Sequence, residues 1–317
     1  MSFEEVEKAL KHLKSKYSAG PDGIPAFLFK DCGRVLAEPL HYMFNVCLKL
    51  AQFPSQWKVS RVIPVPKGRE GPDISGYRPV AVLSTPAKVF ESAVQSNIQA
   101  QVRAQLSDVQ HGFLPGRSTA TNLLNFMVGV VPFVDAGVQV DAVYFDFKKA
   151  FDTVDNDVLL SKLANVGCTP HLLQFFVSYM KDRQQYVDCN GHESEPYYTR
   201  SGVSQGSNLG PLEFIIMIND LPKVIKYGSC LLFADDLKLL LPVRDRSDCE
   251  RLQDDINRVM QWCRENKLYL NLNKCTTITF TRSRTPIEYQ YAMETLPLQR
   301  KSIQKPGICI ETIAEFH

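Results

Sequence analysis

The chain lacks the features that mark several large classes of protein. Its nine cysteines are odd in number and include no close Cys-x-x-Cys pair, so neither a zinc site nor a disulfide framework is predicted. Apolar runs stay shorter than the ~18 residues of a membrane span, and the charged N-terminal segment is unlike a signal peptide. We therefore expect an intracellular protein of the nucleus or cytoplasm, with no membrane partner.

The net charge is small, at +2 over 317 residues. Residues 58–117 nevertheless hold eight cations and four acids, a local excess of positive charge. A surface that follows a nucleic-acid backbone and an ordinary solvated face both remain open for this stretch. The sequence has no internal repeat or low-complexity linker, and its 44% hydrophobic content is enough to bury a core divided into two or more lobes.

Two adjacent carboxylates, Asp235 and Asp236, separate two apolar runs within residues 230–241. The runs predict a tight hairpin whose turn presents both acids to solvent. Repulsion between the acids is commonly offset by a divalent cation, and Mg²⁺ is typically held by one or two carboxylates together with substrate phosphates. The alternative is a solvated Asp-Asp turn, because Asp is a common turn residue.

A third carboxylate, Asp146, stands near the end of the strand predicted at residues 143–147. An unpaired carboxylate buried among aromatic residues is costly. If this strand lies beside the hairpin, three carboxylates converge. That is the ligand set for two-metal phosphoryl transfer, in which one ion activates the attacking hydroxyl and the other binds the leaving phosphate oxygens. The alternative is an edge-strand acid that faces water.

An ordered series of motifs accompanies these acids. In chain order they are Ala-Gly-Pro-Asp-Gly-Ile-Pro (19–25), Pro-Val-Pro-Lys (64–67), Gly-Tyr-Arg-Pro-Val (76–80), Gln-His-Gly-Phe (110–113), Gly-Arg-Ser-Thr (116–119), Thr-Asn-Leu-Leu (121–124), Ser-Gly-Val-Ser-Gln-Gly (201–206), Ile-Asn-Asp-Leu-Pro (218–222) and Phe-Ala-Asp-Asp (233–236). The series resembles the reverse transcriptase domain of non-LTR retrotransposons, most closely the jockey-like group of arthropods. The resemblance covers nearly the whole chain and depends on the order of the motifs.

The resemblance implies an RNA-directed DNA polymerase that acts on an RNA template and a DNA primer. A primer 3′-hydroxyl would attack a deoxynucleoside triphosphate with the help of two Mg²⁺ ions, for which Mn²⁺ is a substitute. Asp146, Asp235 and Asp236 are the implied catalytic metal ligands. Phe147 is implied as a further metal- and nucleotide-binding position.

The resemblance also implies the fold, and the alternation of helices with acid-bearing strands agrees with it. The expected class is α+β, a right-hand polymerase fold with helical fingers and a palm whose antiparallel sheet is backed by helices. Residues 1–135 are expected to form the fingers region, with an N-terminal helix and a triphosphate-gripping loop. Residues 136–284 are expected to form the palm, and residues 285–317 a truncated palm-to-thumb segment, the thumb being absent or truncated.

Nucleotide binding is assigned to residues on either side of the Asp146 segment. Lys67 and Arg78 suit a polyanionic triphosphate and match fingers residues of the family, although two solvated loop charges are the alternative. Gln205 and Gly206 lie in an irregular stretch where glycine lets the backbone approach a ligand. Phe151 matches the position whose bulk abuts the sugar 2′-carbon and favours deoxynucleotides, and a core anchor is equally compatible.

Lys274 matches the lysine that follows the metal hairpin and is the candidate general acid for the pyrophosphate leaving group. An ordinary lysine at a strand entry is the alternative. The chain departs from the family at Ser204, where proline is usual, and at Glu213, where an apolar residue is usual. A buried Glu213 would lower stability. Pro306 would remove a ladder donor from the segment expected near the primer terminus.

Two other functions remain open at this point. The first is an inactive or weakly active mobile-element remnant that retains at most nucleic-acid binding, suggested by the missing thumb. The second is a metal-dependent nuclease or cyclase with the same carboxylates, which would leave the Gln205-Gly206 and Arg78 motifs without a task. Four helix starts are also predicted, at Ser2 with Glu5, at Thr85-Pro86, at Asp155, and at Ser247 with Glu250.

Overall fold

The computed structural model describes residues 1–66, 68, 74–204 and 206–303. Within these ranges the α-helices are α1 (Phe3–His12), α2 (Ala26–Asp31), α3 (Gly33–Lys49), α4 (Thr85–Val102), α5 (Thr119–Asp135), α6 (Asn156–Asn165), α7 (Pro170–Met180), α8 (Leu209–Ile218) and α9 (Arg246–Glu265). None of these described helices has both the length and the apolar character needed to cross a lipid bilayer.

The described strands are β1 (Val59–Pro66), β2 (Tyr77–Val82), β3 (Gln139–Phe145), β4 (Gln184–Cys189), β5 (His192–Glu193), β6 (Tyr197–Tyr198), β7 (Ser229–Phe233), β8 (Asp236–Val243), β9 (Thr276–Phe280), β10 (Ala292–Met293), β11 (Leu296–Pro297) and β12 (Gln299–Ile303). Together they form two larger sheets and the short β10–β11 ladder. The predicted mixture of helices and largely antiparallel sheet is thus present.

The chain divides into two compact units, each built from two separate stretches of sequence. Unit 1 comprises residues 1–105 and 154–217. Unit 2 comprises residues 106–153 and the described residues from 218 onward. The functional names and boundaries expected for residues 1–135, 136–284 and 285–317 stay a prediction.

Unit 1 combines a small sheet with an aromatic core. Strand β1 pairs antiparallel with β2 and parallel with β4, while β5 and β6 each pair with β4. Helix α4 buries Phe90, Val94, Ile98 and Val102, the face that their spacing predicts. The Phe90 ring stacks on the Phe44 ring with 4.6 Å between centroids, which ties α4 to α3.

Unit 2 is organised around a five-stranded sheet of order β12-β9-β3-β8-β7. Central strand β3 is antiparallel to both β8 and β9, and β12 runs parallel to β9. Helix α5 packs against this sheet. The buried cluster that joins them is Phe126, Val130, Val134, Val140, Ala142, Leu231, Leu240, Ile278 and Phe280. Helix α9 packs against β8 and buries Leu252, Ile256, Val259 and Cys263, as predicted.

Helix starts follow local hydrogen-bonding chemistry. The capping box of Ser2 with Glu5 is present at α1, and Asp155 caps α6 by accepting the backbone N–H of Asp157 and Val158. The predicted start of α9 at Ser247 is wrong, because Asp245 accepts two backbone N–H groups and the helix begins one residue earlier than Ser247. Pro306, expected beyond β12, lies outside the described residues.

Candidate active site

The Asp235-Asp236 segment forms the predicted hairpin. Strands β7 and β8 pair antiparallel down to Phe233 opposite Asp236, so only Ala234 and Asp235 form the turn. Ala234 has a φ of 51°, in the left-handed region that tight hairpin turns require. Asp235 is half-buried and Asp236 is exposed. The two carboxylates therefore lie at the tip of the hairpin, Asp235 in the turn and Asp236 at the start of β8.

Asp146 directly follows β3, the strand next to this hairpin. Residues Phe145 and Leu237 are the last partners in the antiparallel pairing of β3 with β8. Asp146 and Asp236 are the next residues outward along the two strands, at the same end of the sheet. The predicted convergence of a central strand with the Asp-Asp hairpin is thus present in the pairing of β3 with β8.

The three carboxylates influence one another electrostatically. Burial, opposed by a backbone hydrogen bond and reinforced by the charge of Asp146, raises the pKa of Asp235. Although Asp236 reaches solvent, loss of hydration beside the protein raises its pKa, and the charges of Asp235 and Asp146 raise it further. The cluster therefore carries negative charge that its surroundings only partly stabilise. A bound cation would relieve this repulsion.

Lys274 lies beside the first of these acids. Its Nζ is 3.8 Å from Oδ2 of Asp146, and both side chains are well exposed. The loop before Lys274 is fastened to the Asp146 segment, because Asn271 N–H donates to the Asp146 carbonyl at 2.7 Å and Lys148 N–H donates to the Tyr269 carbonyl at 2.8 Å. These two bonds lie on either side of Phe147, which is buried. Phe147 forms an antiparallel bridge with Leu270, and its own carbonyl is not one of the hydrogen-bonding groups of this bridge.

A buried lysine in β8 went unnoticed in the sequence. Lys238 is 3% exposed, its Nζ donates to Oδ1 of Asn122 at 3.2 Å, and it lies 5.6 Å from the Phe126 ring centroid. Burial lowers the pKa of Lys238 to about 8, against the opposing effect of Asp236. Its signal in the sequence, a lone cation between Leu237 and Leu239, does not by itself distinguish a buried lysine from one on an exposed strand face.

Phe151 is half-buried and lies in the turn region that follows Asp146. Its ring meets that of Phe113 edge to face, with centroids 6.2 Å apart and an interplanar angle of 84°. The contact orients Phe151 through the Gln-His-Gly-Phe motif, whose last residue is the exposed Phe113. The geometry therefore permits both readings of Phe151, a sugar-facing ring and a packing anchor.

The remaining predicted nucleotide-binding residues belong to unit 1. Arg78 is an exposed residue of β2, opposite Val65 of β1. Gly206 has a φ of 111°, and a Cβ added there would lie 2.3 Å from the carbonyl oxygen of Ala81 in β2. Its freedom from a side chain thus lets the 201–208 loop approach the backbone of the strand that carries Arg78. Lys67 and Gln205 lie outside the described residues.

A buried charged cluster underlies the same loop. Glu91 of α4 accepts hydrogen bonds from Tyr179 Oη and Asn208 N–H, both at 2.8 Å. Glu213 of α8 is 2% exposed and its Oε1 has no hydrogen-bond partner within the described part of the chain. Burial and then the charge of Glu91 raise the pKa of Glu213 to about 8, and Arg183 opposes them. Glu213 is therefore on a buried helix face, as predicted.

The residues at the sheet edge were also considered as a metal site. No group of three or more His, Cys, Asp or Glu side chains among the described residues is gathered closely enough to hold a metal ion. Asp146 is instead directed to Lys274. The hard oxygens of Asp235 and Asp236 nevertheless suit Mg²⁺, which is usually bound through one or two carboxylates with substrate phosphates and water. The donor set fits a cation that arrives with its substrate.

Comparison with protein families gives a direct result. Residues 65–307 match the model described as reverse transcriptase (RNA-dependent DNA polymerase). Curated relatives include the probable RNA-directed DNA polymerase from transposon BS of Drosophila melanogaster, 30% identical over 99% of this chain and 36% of that protein. The RNA-directed DNA polymerase from mobile element jockey of Drosophila funebris is 26% identical over 89% of this chain and 32% of that protein.

Our chain therefore spans about a third of the length of these relatives. Among solved structures, apo telomerase from Candida tropicalis, truncated from its C-terminal domain, matches with a TM-score of 0.53 and 14% identity, over 81% of this chain and 57% of that one. Telomerase from the same organism in complex with a fragment of telomeric RNA matches with a TM-score of 0.54, over 82% and 47%. These likenesses confirm the predicted polymerase fold.

Proposed function

Because the chain belongs to the reverse transcriptase (RNA-dependent DNA polymerase) family, whose members use divalent metal ions, we propose that it is the RNA-directed DNA polymerase domain of a non-LTR retrotransposon. The substrates are deoxynucleoside triphosphates, an RNA template and a DNA primer. The single observation that carries the proposal is the pairing of β3 with β8, which brings Asp146 to the same end of the sheet as Asp235 in the hairpin turn and Asp236 at the start of β8.

The chemistry is nucleotidyl transfer. The primer 3′-hydroxyl attacks the α-phosphate of the dNTP, a new O–P bond forms, and the bond to the leaving pyrophosphate breaks. Asp146, Asp235 and Asp236 would provide carboxylates for two Mg²⁺ ions, with Mn²⁺ as a substitute, and the backbone carbonyl of Phe147 would be a further oxygen ligand. When bound, these ions supply charge stabilisation for the attacking and leaving oxygens.

Lys274 serves as the general acid in this proposal. Its ion pair with Asp146 is exposed to solvent and contributes roughly 0–1 kcal/mol, so the ammonium group can leave the carboxylate readily. A released ammonium group is then available to protonate the departing pyrophosphate. The contact of Lys274 with Asp146 supports this role because it keeps the lysine beside the reacting groups.

The predicted nucleotide-binding residues keep their assignments in this proposal. Arg78 and Gly206, with Lys67 and Gln205, bind the triphosphate and the base, as expected for fingers residues and for the glycine-containing loop. The close approach of Gly206 to the backbone of β2 supports this assignment. Phe151 faces the sugar and selects against a 2′-hydroxyl. The predicted fingers, palm and thumb-side boundaries belong to the same proposal, as does an intracellular location.

Primer extension tests the proposal. The purified full chain, a poly-adenylate template with an oligothymidylate primer, Mg²⁺ and thymidine triphosphate should give template-dependent products. The Asp235→Asn, Asp236→Asn double variant keeps the side-chain shape but removes the charge, and should lose extension. Asp254→Asn, an exposed acid of α9, is the matched control and should extend normally. Equal extension by the double variant would remove the proposed metal site, and no extension by the unaltered chain would favour an inactive remnant.

A further inference from the structure

The Gln-His-Gly-Phe motif at residues 110–113 contributes Phe113 to the contact with Phe151, but its other residues have no role in the function described above. The motif runs along the outer side of the catalytic hairpin. Leu232 of β7 donates its N–H to the Val109 carbonyl at 2.9 Å, and its own carbonyl accepts the N–H of His111 at 2.8 Å. The segment therefore extends the sheet beyond β7 by a short parallel bridge. Gln110 therefore lies beside Leu232, which is two residues before Ala234, the first residue of the turn.

The side chain of Gln110 continues the contact onto the turn itself. Gln110 is 2% exposed, and its Oε1 accepts the N–H of Gly112 at 2.7 Å and the N–H of Ala234 at 2.9 Å. Because both partners are backbone donors, the amide oxygen must face them. One oxygen atom thus joins the 110–113 loop to the first residue of the two-residue turn.

Gly112 permits this arrangement by its lack of a side chain. A Cβ at Gly112 would lie 2.3 Å from the backbone nitrogen of Ala234 and 2.9 Å from its Cα. Such distances are not compatible with the observed packing, so the loop and the turn meet backbone to backbone. The residue immediately after Ala234 is Asp235, whose backbone position therefore follows from this contact.

Helix α5 holds the same region from its N-terminal half. Asn122 donates its Nδ2 to the Leu232 carbonyl at 3.1 Å, and His111 Nδ1 lies 2.8 Å from Oγ1 of Thr121. The loop and the hairpin are consequently fastened to one helix. Among the side chains named in this region, that of Gln110 bonds directly to the turn, because it accepts the N–H of Ala234.

We propose that Gln110 is a positioning residue for the carboxylates of the hairpin, holding Asp235 and Asp236 in place for cation and substrate. This inference rests on the proposed function. Adjacent carboxylates repel each other, and Ala234 sits in a left-handed conformation that L-residues adopt only when their surroundings hold it. The hydrogen bond from Ala234 N–H to Gln110 Oε1 holds the turn against two effects, the repulsion between the carboxylates and the tendency of Ala234 to leave its left-handed conformation.

The matched control is Gln139, at the opposite end of the same sheet. It is also a buried glutamine of unit 2, and its Oε1 accepts the backbone N–H of Ile287 at 2.9 Å. Gln110→Leu and Gln139→Leu remove the same kind of acceptor from the same unit. Gln110→Leu leaves two backbone donors unpaired, which lowers stability. It also removes a buried amide nitrogen that has no partner among the described residues, and this removal partly offsets the loss of stability.

Three measurements on the full chain test the proposal. Amide hydrogen exchange at Ala234 should accelerate in Gln110→Leu, and Gln110→Glu, which retains an acceptor oxygen, should restore the protection. Binding of Mn²⁺ together with thymidine triphosphate, measured by electron paramagnetic resonance in the absence of nucleic acid, should weaken about tenfold in Gln110→Leu only. Primer extension at saturating dNTP should slow by roughly 10- to 100-fold in the same variant, because small displacements of catalytic groups have effects of this size.

The outcomes separate this inference from the proposed function. If the unaltered chain extends primers and Gln110→Leu matches Gln139→Leu in rate and Mn²⁺ affinity, Gln110 has no positioning role. If the unaltered chain does not extend primers, the proposed function fails, while exchange at Ala234 and Mn²⁺ binding still decide whether Gln110 orders the hairpin. Equal loss of Mn²⁺ affinity in both leucine variants would also overturn the inference, since it would reflect general destabilisation.

Discussion

Glu213 of α8 is buried close enough to Glu91 of α4 for the charge of Glu91 to raise its pKa. Burial contributes more than this charge, and the two together bring the pKa of Glu213 to about 8, from an ordinary value of 4.5. Arg183, also buried, opposes the shift without cancelling it. The folded protein therefore retains a proton on Glu213 at pH values where the unfolded chain has released it.

This proton gives a testable pH dependence of stability. Between pH 4.5 and about 8 the folded state binds more protons at Glu213 than the unfolded state, so stability falls as the pH rises through this window. The full effect is on the order of 5 kcal/mol. Glu213→Leu should remove it and raise the thermal midpoint at pH 8.5 much more than at pH 5.

Thermal unfolding at both pH values measures this prediction. Glu38→Leu, which changes an exposed glutamate on α3 of the same unit, is the matched control and should leave the pH dependence as it is. If stability falls as steeply with rising pH in the Glu213→Leu variant as in the unaltered protein, another group is responsible for the pH dependence.

Gly206 should resist even the smallest side chain. In Gly206→Ala the new methyl group would meet the Ala81 carbonyl at 2.3 Å, and the φ of 111° is itself unfavourable for alanine. We expect the loop to move away from β2 and the KM for dNTP to rise by about tenfold, the effect of some 1.4 kcal/mol of lost binding. Steady-state primer extension measures the change.

The control for this prediction is Gly167→Ala, also in unit 1. Gly167 has a φ of 90° with nothing within 4 Å of an added Cβ, so it shares the backbone strain without the collision. Equal KM values for the two alanine variants would contradict a role of the Gly206 approach in nucleotide binding.

Phe151 should control the choice between deoxyribonucleotides and ribonucleotides. Removing the ring in Phe151→Ala opens space beside the sugar, and ribonucleotide incorporation should rise relative to deoxynucleotide incorporation by roughly 10- to 100-fold. The ratio of kcat/KM values for the two substrates is the measurement. Phe113→Ala removes the edge-to-face partner but leaves the Phe151 ring, and should alter the ratio far less. An unchanged ratio in Phe151→Ala would leave only the packing role.

Lys274 should affect the chemical step more than binding. A general acid contributes about 10²- to 10⁴-fold, so Lys274→Met should lower kcat within that range with little change in the KM for dNTP. Lys274→Arg keeps the positive charge near Asp146 but holds its proton far more firmly, so it should also leave the KM nearly unchanged and fail to recover the rate. Rapid-quench measurement of single-nucleotide addition separates the two. Full activity of Lys274→Met would assign the lysine to the ion pair alone.

Much of the fold was predictable because its determinants are local. The apolar runs around Asp235 and Asp236 have strand length, so the hairpin could be predicted before any pairing was known. The capping residue of α9 was placed two residues late, because Ser247 and Asp245 are both good capping residues and only the hydrogen bonds distinguish them. Local chemistry therefore predicts the presence of a helix or strand better than it predicts the residue at which the element begins or ends.

The supporting contacts of the site could not be predicted because they depend on distant partners. Lys238 follows Asp236 at the spacing of an exposed strand face, and only the packing of α5 over the sheet makes it buried. Gln110 belongs to the Gln-His-Gly-Phe motif, but its partner Ala234 is 124 residues away in sequence. By contrast, burial of Glu213 was predictable from the apolar run that follows it.

The two-stretch construction of unit 2 has a consequence for biosynthesis. Gln110 leaves the ribosome well before Ala234, and at ordinary elongation rates the 124 residues between them take about 6 to 25 s to make. During this interval β3 has no β7–β8 hairpin beside it, and residues 154–217 are being made for the other unit. The catalytic end of the sheet thus cannot form until the hairpin has been made, and β3 needs protection from premature pairing until then.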